Sequence, residues 1–288
     1  MKGKIVKGIG GFYYVKSSDE VYCCKAKGIF RNEDIKPLIG DDVEISLIDP
    51  EKREGSVDLI LPRRNCLIRP AVANIDLILI VQSFAKPAPQ KYLLDRYLIS
   101  ICKSGIPTAI VFNKSDLTHE PVDRIYDQAG YHTFSVSVKN GDGIDKLKDY
   151  IRGKTIALAG PSGVGKSSLT NRLCPSADMK TDTLSRKIER GKQTTRHSEL
   201  FSAGDDTYLC DTPGFTSVYF EGIKSEELKY YFPEIAEYEG KCRFNGCLHL
   251  AEPDCAVKDA LTEGFINESR YDSYLKIYNE IFTQERRY

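Results

Sequence analysis

The sequence predicts a multidomain α/β protein in three parts. An N-terminal β-barrel of the OB type is expected over residues 1–66, a doubly wound P-loop domain over residues 67–220, and an α-helical zinc-binding module over residues 221–288. Three observations predict this. Short alternating β-runs fill the first part, apolar strands alternate with helical segments around a glycine-rich phosphate loop in the second, and a tight Cys/His cluster opens the third.

The barrel is read from KIVKGI, GFYYVK, EVYCCKA and DDVEISLI, separated by turn residues. In the last run Val43, Ile45 and Leu47 alternate with polar residues, the period of a half-buried strand. So short a segment fits an OB barrel first and an SH3-like barrel second. LPRRNCLIRP, with two prolines and a basic pair, reads as a linker.

From Ile75 the rhythm changes. IDLILIVQS is a continuous apolar run of the kind found in central parallel strands. QKYLLDRYLISICKSG is a helix stopped by Gly105; PTAIVFNKSD and YHTFSVS are strands; GIDKLKDYIRG is a helix and KTIALAG a strand. Helix KSSLTNRLC follows, then strands near HSELFS and TYLCDT. The final ESRYDSYLKIYNEIF places Tyr271, Tyr274, Leu275, Tyr278 and Phe282 on one helical face, which reads as a packing face.

Composition excludes several classes. No apolar stretch approaches the roughly 20 residues of a membrane helix, and MKGKIVKGIGGFYYVK lacks the features of a secretory signal, so the expectation is a cytoplasmic protein. A formal net charge of zero removes any global field for nucleic acid. The one basic run, Lys180, Arg186, Lys187, Arg190, Lys192 and Arg196 against Asp182 and Glu189, reads as a solvated loop. Nine cysteines, an odd number, argue against a disulfide framework. Cys23, Cys24, Cys66, Cys102, Cys174 and Cys210 read as small buried hydrophobes.

The chemistry lies in spaced motifs. Gly160-Pro161-Ser162-Gly163-Val164-Gly165-Lys166-Ser167 matches G-x-x-x-x-G-K-[ST] between a strand and a helix, with Ser168 next in the chain. Glycines let backbone N–H groups wrap phosphates, Lys166 reaches the β- and γ-phosphates, and the Ser167 hydroxyl binds Mg²⁺. Asn113-Lys114-Ser115-Asp116 ends an apolar strand and selects the base. The Asp116 carboxylate accepts from the two donors of guanine, which adenine lacks. Ser137-Val138-Lys139 resembles the second base-contacting loop of GTPases. Asp211-Thr212-Pro213-Gly214 resembles switch II, with Asp211 toward Mg²⁺ and the Gly214 N–H toward the γ-phosphate; Thr194-Thr195 resembles switch I, with Thr195 the favoured Mg²⁺ ligand.

The loops therefore run base, base, phosphate, switch I, switch II. A parallel sheet keeps strand carboxyl ends on one face whatever the chain order, so this is a circularly permuted GTPase. Switch II then leads directly into the C-terminal module, where nucleotide state can act on it. In that module Cys242, Cys247, His249 and Cys255 supply three thiolates and an imidazole, a set suited to a closed structural Zn²⁺ site.

Together RPAVANID, NKSD, GPSGVGKSS, RGKQTTRH, DTPGF and CRFNGCLHLAEPDCAVKDAL resemble the bacterial ribosome small subunit-dependent GTPases of the RsgA family over nearly the whole chain. The resemblance implies an OB-fold, a permuted GTPase domain and a zinc domain. It further implies binding to 16S rRNA in the small (30S) ribosomal subunit late in its maturation, and GTP hydrolysis stimulated by that subunit. Two departures bear on catalysis. Phe215 follows Gly214 where Ras-type enzymes carry a water-orienting glutamine, so intrinsic hydrolysis should be slow. Gln193 stands where the family usually has a histidine; its amide can orient water but cannot act as a general base near neutral pH. A monomer is the simplest expectation. Two other readings compete: a P-loop ATPase or kinase, and a zinc-containing RNA-binding protein with a vestigial GTPase domain.

Overall fold

The computed structural model describes residues 1–28, 30, 36–68, 71–117, 120–177, 199–210, 220 and 222–286. Two compact units divide the chain: Met1–Ile78 with Asp145–Ala159 and Gly165–Thr216, and Leu79–Ile144 with Gly160–Val164 and Ser217–Tyr288.

The first unit opens with strands β1 (Lys2–Ile9), β2 (Phe12–Ser17), β3 (Glu20–Ala26), β4 (Asp42–Asp49) and β5 (Glu54–Ile60). They close in the order β1-β2-β3-β5-β4. Every pair is antiparallel except β3–β5, the arrangement of an OB barrel, so the SH3-like alternative falls away. Ile5, Val15, Cys24, Val43, Ile45 and Val57 fill its centre. Leu47, expected to share that face, is exposed: it stays in register with Ile45 but pairs with Gly55, which has no side chain to cover it, and the β4–β5 register shifts just beyond it.

The expected linker is a built element. Arg63 donates twice to the fully buried Asp41, at 2.7 and 2.8 Å. Strands β6 (Cys66–Leu67) and β7 (Val72–Ala73) pair antiparallel. Around them the Arg64 backbone N–H donates to Asn74 Oδ1, while Asn65 exchanges two bonds with the Ile75 backbone. Asp76 then grips strand β11 (Thr155–Ala159): its Oδ2 accepts from the Thr155 N–H at 2.9 Å, and its own N–H donates to the Thr155 carbonyl at 2.8 Å. Asn74 and Asp76 of RPAVANID thus help fix the entry of the strand that leads to the phosphate loop.

The remaining strands are β8 (Leu77–Ser83), β9 (Thr108–Asn113), β10 (His132–Ser135), β12 (Leu200–Gly204) and β13 (Thr207–Cys210). The sheet order is β10-β9-β8-β11-β13-β12. β9–β10 and β11–β13 are parallel, and β12 runs antiparallel to β13. β8 and β11 are buried throughout, which explains their unbroken apolar sequences. Helices α1 (Lys91–Cys102), α2 (Val122–Gln128), α3 (Ile144–Ile151) and α4 (Lys166–Leu173) connect these strands.

The C-terminal part of the second unit carries α5 (Pro233–Ala236), α6 (Ala256–Thr262) and α7 (Glu268–Glu285). Asn267 caps α7 by accepting from the Ser269 N–H. The aromatic stripe is a packing face: Tyr271, Tyr274 and Tyr278 are buried, with Leu275 and Phe282 at the margin of the same core. Of the scattered cysteines, Cys24, Cys174 and Cys210 are buried and Cys23 is partly so. Cys66 and Cys102 are exposed, against expectation, because one lies in the two-residue strand β6 and the other in the last turn of α1. Among the described residues no helix is long and apolar enough to cross a membrane.

Candidate functional site

The candidate base-reading loop, Asn113 to Asp116, is built on the end of β9. Asn113 is only 3% exposed, and its side chain ties three segments together. Nδ2 donates to the Val164 carbonyl at 3.0 Å; Oδ1 accepts from the Lys114 N–H at 2.8 Å and the Val138 N–H at 3.2 Å. Lys114 adopts φ of 65° and lays its ammonium on the carbonyls of Gly163, at 2.9 Å, and Lys86. Two residues of the loop are thereby bonded to the glycine-rich turn. This arrangement fixes the backbone that carries Asp116, two residues beyond Lys114.

Asp116 Oδ1 accepts from the Ser137 hydroxyl at 2.7 Å. That bond holds the carboxylate below the ordinary aspartate pKa, with Lys139 and Lys114 adding smaller effects in the same direction. Asp116 is therefore an ionised acceptor at neutral pH. Ser137 is itself fully buried; its N–H donates to the Asp142 carbonyl at 3.0 Å, and its hydroxyl accepts from the Asn140 N–H at 3.1 Å. Gly143, at φ of 72°, closes this loop where a Cβ would stand 2.3 Å from the Ser135 carbonyl oxygen. Ser137 and Lys139 are thus brought beside Asp116, and the Val138 N–H beside Asn113.

Gly160 follows β11 at φ of 125°, where a Cβ would stand 2.2 Å from the Val81 carbonyl oxygen. Only glycine fits there. Pro161, Ser162, Gly163 and Val164 continue the turn, and Gly165, at φ of 99°, precedes α4, which begins at Lys166 and includes Ser167 and Ser168. No side chain caps this helix, which leaves its first turn suited to an anion. Gln193, Thr194, Thr195, Asp211 and Gly214, with the basic run Lys180–Arg196, lie outside the described residues.

The metal-ligand set converges. The Sγ atoms of Cys242, Cys247 and Cys255 and a ring nitrogen of His249 lie within 4.8 Å of one another. Cys255 Sγ is 3.9 Å from both other sulfurs, and His249 Nδ1 is 3.5 Å from Cys242 Sγ and 3.4 Å from Cys255 Sγ. A disulfide needs about 2.05 Å, whereas a tetrahedral ion with metal–sulfur bonds of about 2.3 Å sets edges of about 3.8 Å. The donors fit a tetrahedral cation. Burial lowers the His249 pKa, which favours the neutral, ligating imidazole, and raises the Cys247 thiol to about 12, so a cation is what makes a thiolate viable there. The Lys229 ammonium donates to the Cys247 carbonyl, and Tyr271 and Tyr274 hydroxyls donate to the carbonyls of His249 and Leu248 at 2.7 and 2.5 Å.

Sequence reading missed two supports of these sites. The turn after β8 presents the Lys86 carbonyl to Lys114, a contact no side-chain pattern encodes. Arg270, fully buried on α7, is bonded to Asp95 of α1 and Glu234 of α5. In sequence it looks like one more surface arginine of an amphipathic helix.

A phosphate loop, a guanine-type base loop placed before it in the chain, and a doubly wound sheet define a circularly permuted P-loop GTPase. Comparison with known proteins narrows the class: residues 60–221 match the model of the RsgA GTPase and residues 2–56 that of the RsgA N-terminal domain. The chain belongs to the RsgA GTPase family. It is 49% identical to the small ribosomal subunit biogenesis GTPase RsgA of Agathobacter rectalis, covering 99% of this chain and 100% of that protein. To the protein of the same name from Alkaliphilus metalliredigens it is 46% identical, over 100% and 99%. Among solved structures it is similar to YloQ, described as a circularly permuted GTPase, with a TM-score of 0.79 and 36% identity over 98% of this chain and 95% of that one. YjeQ from Thermotoga maritima gives a TM-score of 0.79 at 34% identity over 98% of each chain.

Proposed function

We propose that the protein hydrolyses GTP to GDP and phosphate on the small ribosomal subunit during late maturation of that particle, in contact with 16S rRNA. The observation that carries the guanine assignment is the bonding of Asn113 and Lys114 to the glycine-rich turn, which sets an ionised Asp116 beside the buried Ser137. The relatives named small ribosomal subunit biogenesis GTPases support the particle assignment.

In this reading Asp116 accepts from guanine, Lys114 and Asn113 brace the loop, and the Val138 N–H exchanges its bond to Asn113 for the guanine carbonyl. Residues 160–168 wrap the phosphates, and Lys166 stabilises charge developing on the γ-phosphoryl as water attacks in line. Ser167, Thr195 and Asp211 would hold Mg²⁺, which would supply positive charge to offset that of the phosphates. The Gly214 N–H senses the γ-phosphate, and Gln193 orients the attacking water. Replacing Gln193 by Ala is expected to abolish most subunit-stimulated turnover; unchanged turnover assigns the water to another group. The Cys242–Cys247–His249–Cys255 set would hold Zn²⁺, whose role would be structural because four protein donors leave no position for a substrate. The functional division is 1–66, 67–220 and 221–288, which the family matches at 2–56 and 60–221 support. The protein acts as a cytoplasmic monomer.

Co-sedimentation tests the particle assignment. With a non-hydrolysable GTP analogue the protein should pellet with small subunits and not with large ones, and GDP should release it. Equal binding to both subunits, or none, overturns the proposal. Competition for labelled GDP by GTP and not ATP separates this reading from the kinase alternative.

A further inference from the structure

A buried cation joins the C-terminal module to the base-reading side, in addition to the more exposed Arg96–Glu280 ion pair and the bonds from Gln128 to the Gly264 and Phe265 carbonyls. The Arg270 side chain is 2% exposed and its two carboxylate partners no more than 6%. Nε and Nη2 donate to Glu234 at 2.6 and 3.2 Å, and Nη1 donates to Asp95. Asp95 Oδ1 also accepts from the Tyr126 hydroxyl of α2 at 2.9 Å. The guanidinium lies 5.4 Å from the centre of the Tyr126 ring and 4.6 Å from that of Phe232. A buried arginine with two carboxylates cannot lose a partner cheaply, so these elements move together or not at all.

Each end of this cluster reaches a site. Tyr126 packs on Phe112, with ring centres 6.0 Å apart; Phe112 is the residue before Asn113 and stacks on Phe84 at 5.3 Å. The Phe84 N–H closes the path by donating to the Asn113 carbonyl at 3.0 Å. In the other direction, the residue after Arg270 is Tyr271, whose hydroxyl donates to the carbonyl of the metal-ligand residue His249. One turn along α7, Tyr274 does the same for Leu248. Without a cation the loop carrying His249 loses its anchor, and with it the acceptors that fix the first turns of α7.

We infer that Arg270 is a positioning residue for the base-reading loop, and that through it the metal of the Cys/His cluster and guanine nucleotide bind with positive coupling. The inference rests on the guanine reading above. It assigns the C-terminal module a part in nucleotide affinity, in addition to any contact it makes elsewhere. Linkage makes the coupling reciprocal: the factor by which the metal tightens GDP is the factor by which GDP tightens the metal.

The test uses the full chain, a fluorescent GDP analogue and Zn²⁺. In the metal-loaded protein the analogue binds; stripping the metal is expected to raise its Kd by about fivefold or more, the lower end of ordinary coupling. Saturating GDP should slow extraction of Zn²⁺ by a chelator and lower its Kd by the same factor. Circular dichroism on the stripped protein separates this from unfolding. Replacing Tyr126 by Phe keeps the ring and removes only the hydroxyl, with its bond to Asp95 and its longer one to the Lys91 carbonyl at 3.3 Å, so it should fold, retain its metal and bind GDP several-fold more weakly. An unchanged GDP affinity in both the stripped protein and Tyr126→Phe overturns the inference and leaves the guanine reading intact. Failure of the metal-loaded protein to bind GDP at all overturns both.

Discussion

Replacing Asp116 by Asn tests the base-reading loop with little disturbance to the fold. The Asn side chain has the same shape, and its carbonyl can still accept from the Ser137 hydroxyl that Asp116 holds at 2.7 Å. The change falls on the base alone. Guanine presents N1–H and an exocyclic amine; Asp accepts from both, whereas Asn accepts from one and points its own amine at the other. One charge-assisted bond, about 1.5–3 kcal/mol, is lost and two donors are left opposed, for a total of about 3–4 kcal/mol. At 1.4 kcal/mol per decade, GDP affinity should fall by roughly 10²–10³. Xanthine carries a carbonyl in place of the amine, so xanthosine diphosphate should gain what GDP loses. Titration of fluorescent GDP and xanthosine diphosphate against both proteins measures this, with thermal melts to establish that the fold persists. An Asp116→Asn protein that binds GDP as tightly as the parent would refute the assignment of Asp116 to the base.

Gly160→Ala places a methyl 2.2 Å from the Val81 carbonyl oxygen at a backbone angle unsuited to alanine, and should abolish GDP binding and lower the melting midpoint by several degrees; wild-type affinity would show that the turn relaxes. Cys255→Ser removes the sulfur that lies 3.9 Å from both other thiols, so metal content should drop from near-stoichiometric to background, with a midpoint lower by about 5 °C or more; a retained ion means the set is not the ligand set. Because Ser137 lowers the folded-state pKa of Asp116, the carboxylate stays charged as pH falls through the ordinary aspartate range near 3.9. GDP affinity should therefore be level from pH 8 to pH 5 in a titration, and Ser137→Ala should shift its acid limb upward.

What was legible in the sequence was whatever local spacing encodes. The phosphate loop is nine contiguous residues from Gly160 to Ser168, and the four metal donors fall between Cys242 and Cys255, so chain geometry alone brings each group together. β8 and β11 were legible because burial on both faces forbids polar residues along the strand. The permuted order followed from locating NKSD before the P-loop, since strand order in a parallel sheet does not depend on where the chain is cut. Features made by distant partners were not legible. Arg270 and Asp95 are 175 positions apart, and neither carries a local mark of burial. Helix α2 was missed because VDRIYDQ is two turns long with only Val122 and Tyr126 buried, too few apolar positions to show a period. Leu47 was misread because alternation along one strand does not show that the partner across it is a glycine, Gly55.

Slow intrinsic chemistry made fast by the small subunit is the centre of the account, and phosphate release measures it. GTP should be hydrolysed slowly by the purified protein, because Phe215 stands where a water-orienting glutamine is needed. Small subunits should accelerate release strongly, large subunits should not, and ATP should remain unhydrolysed throughout. Rapid basal turnover indifferent to ribosomal particles would contradict both the catalytic argument and the assignment to the small subunit.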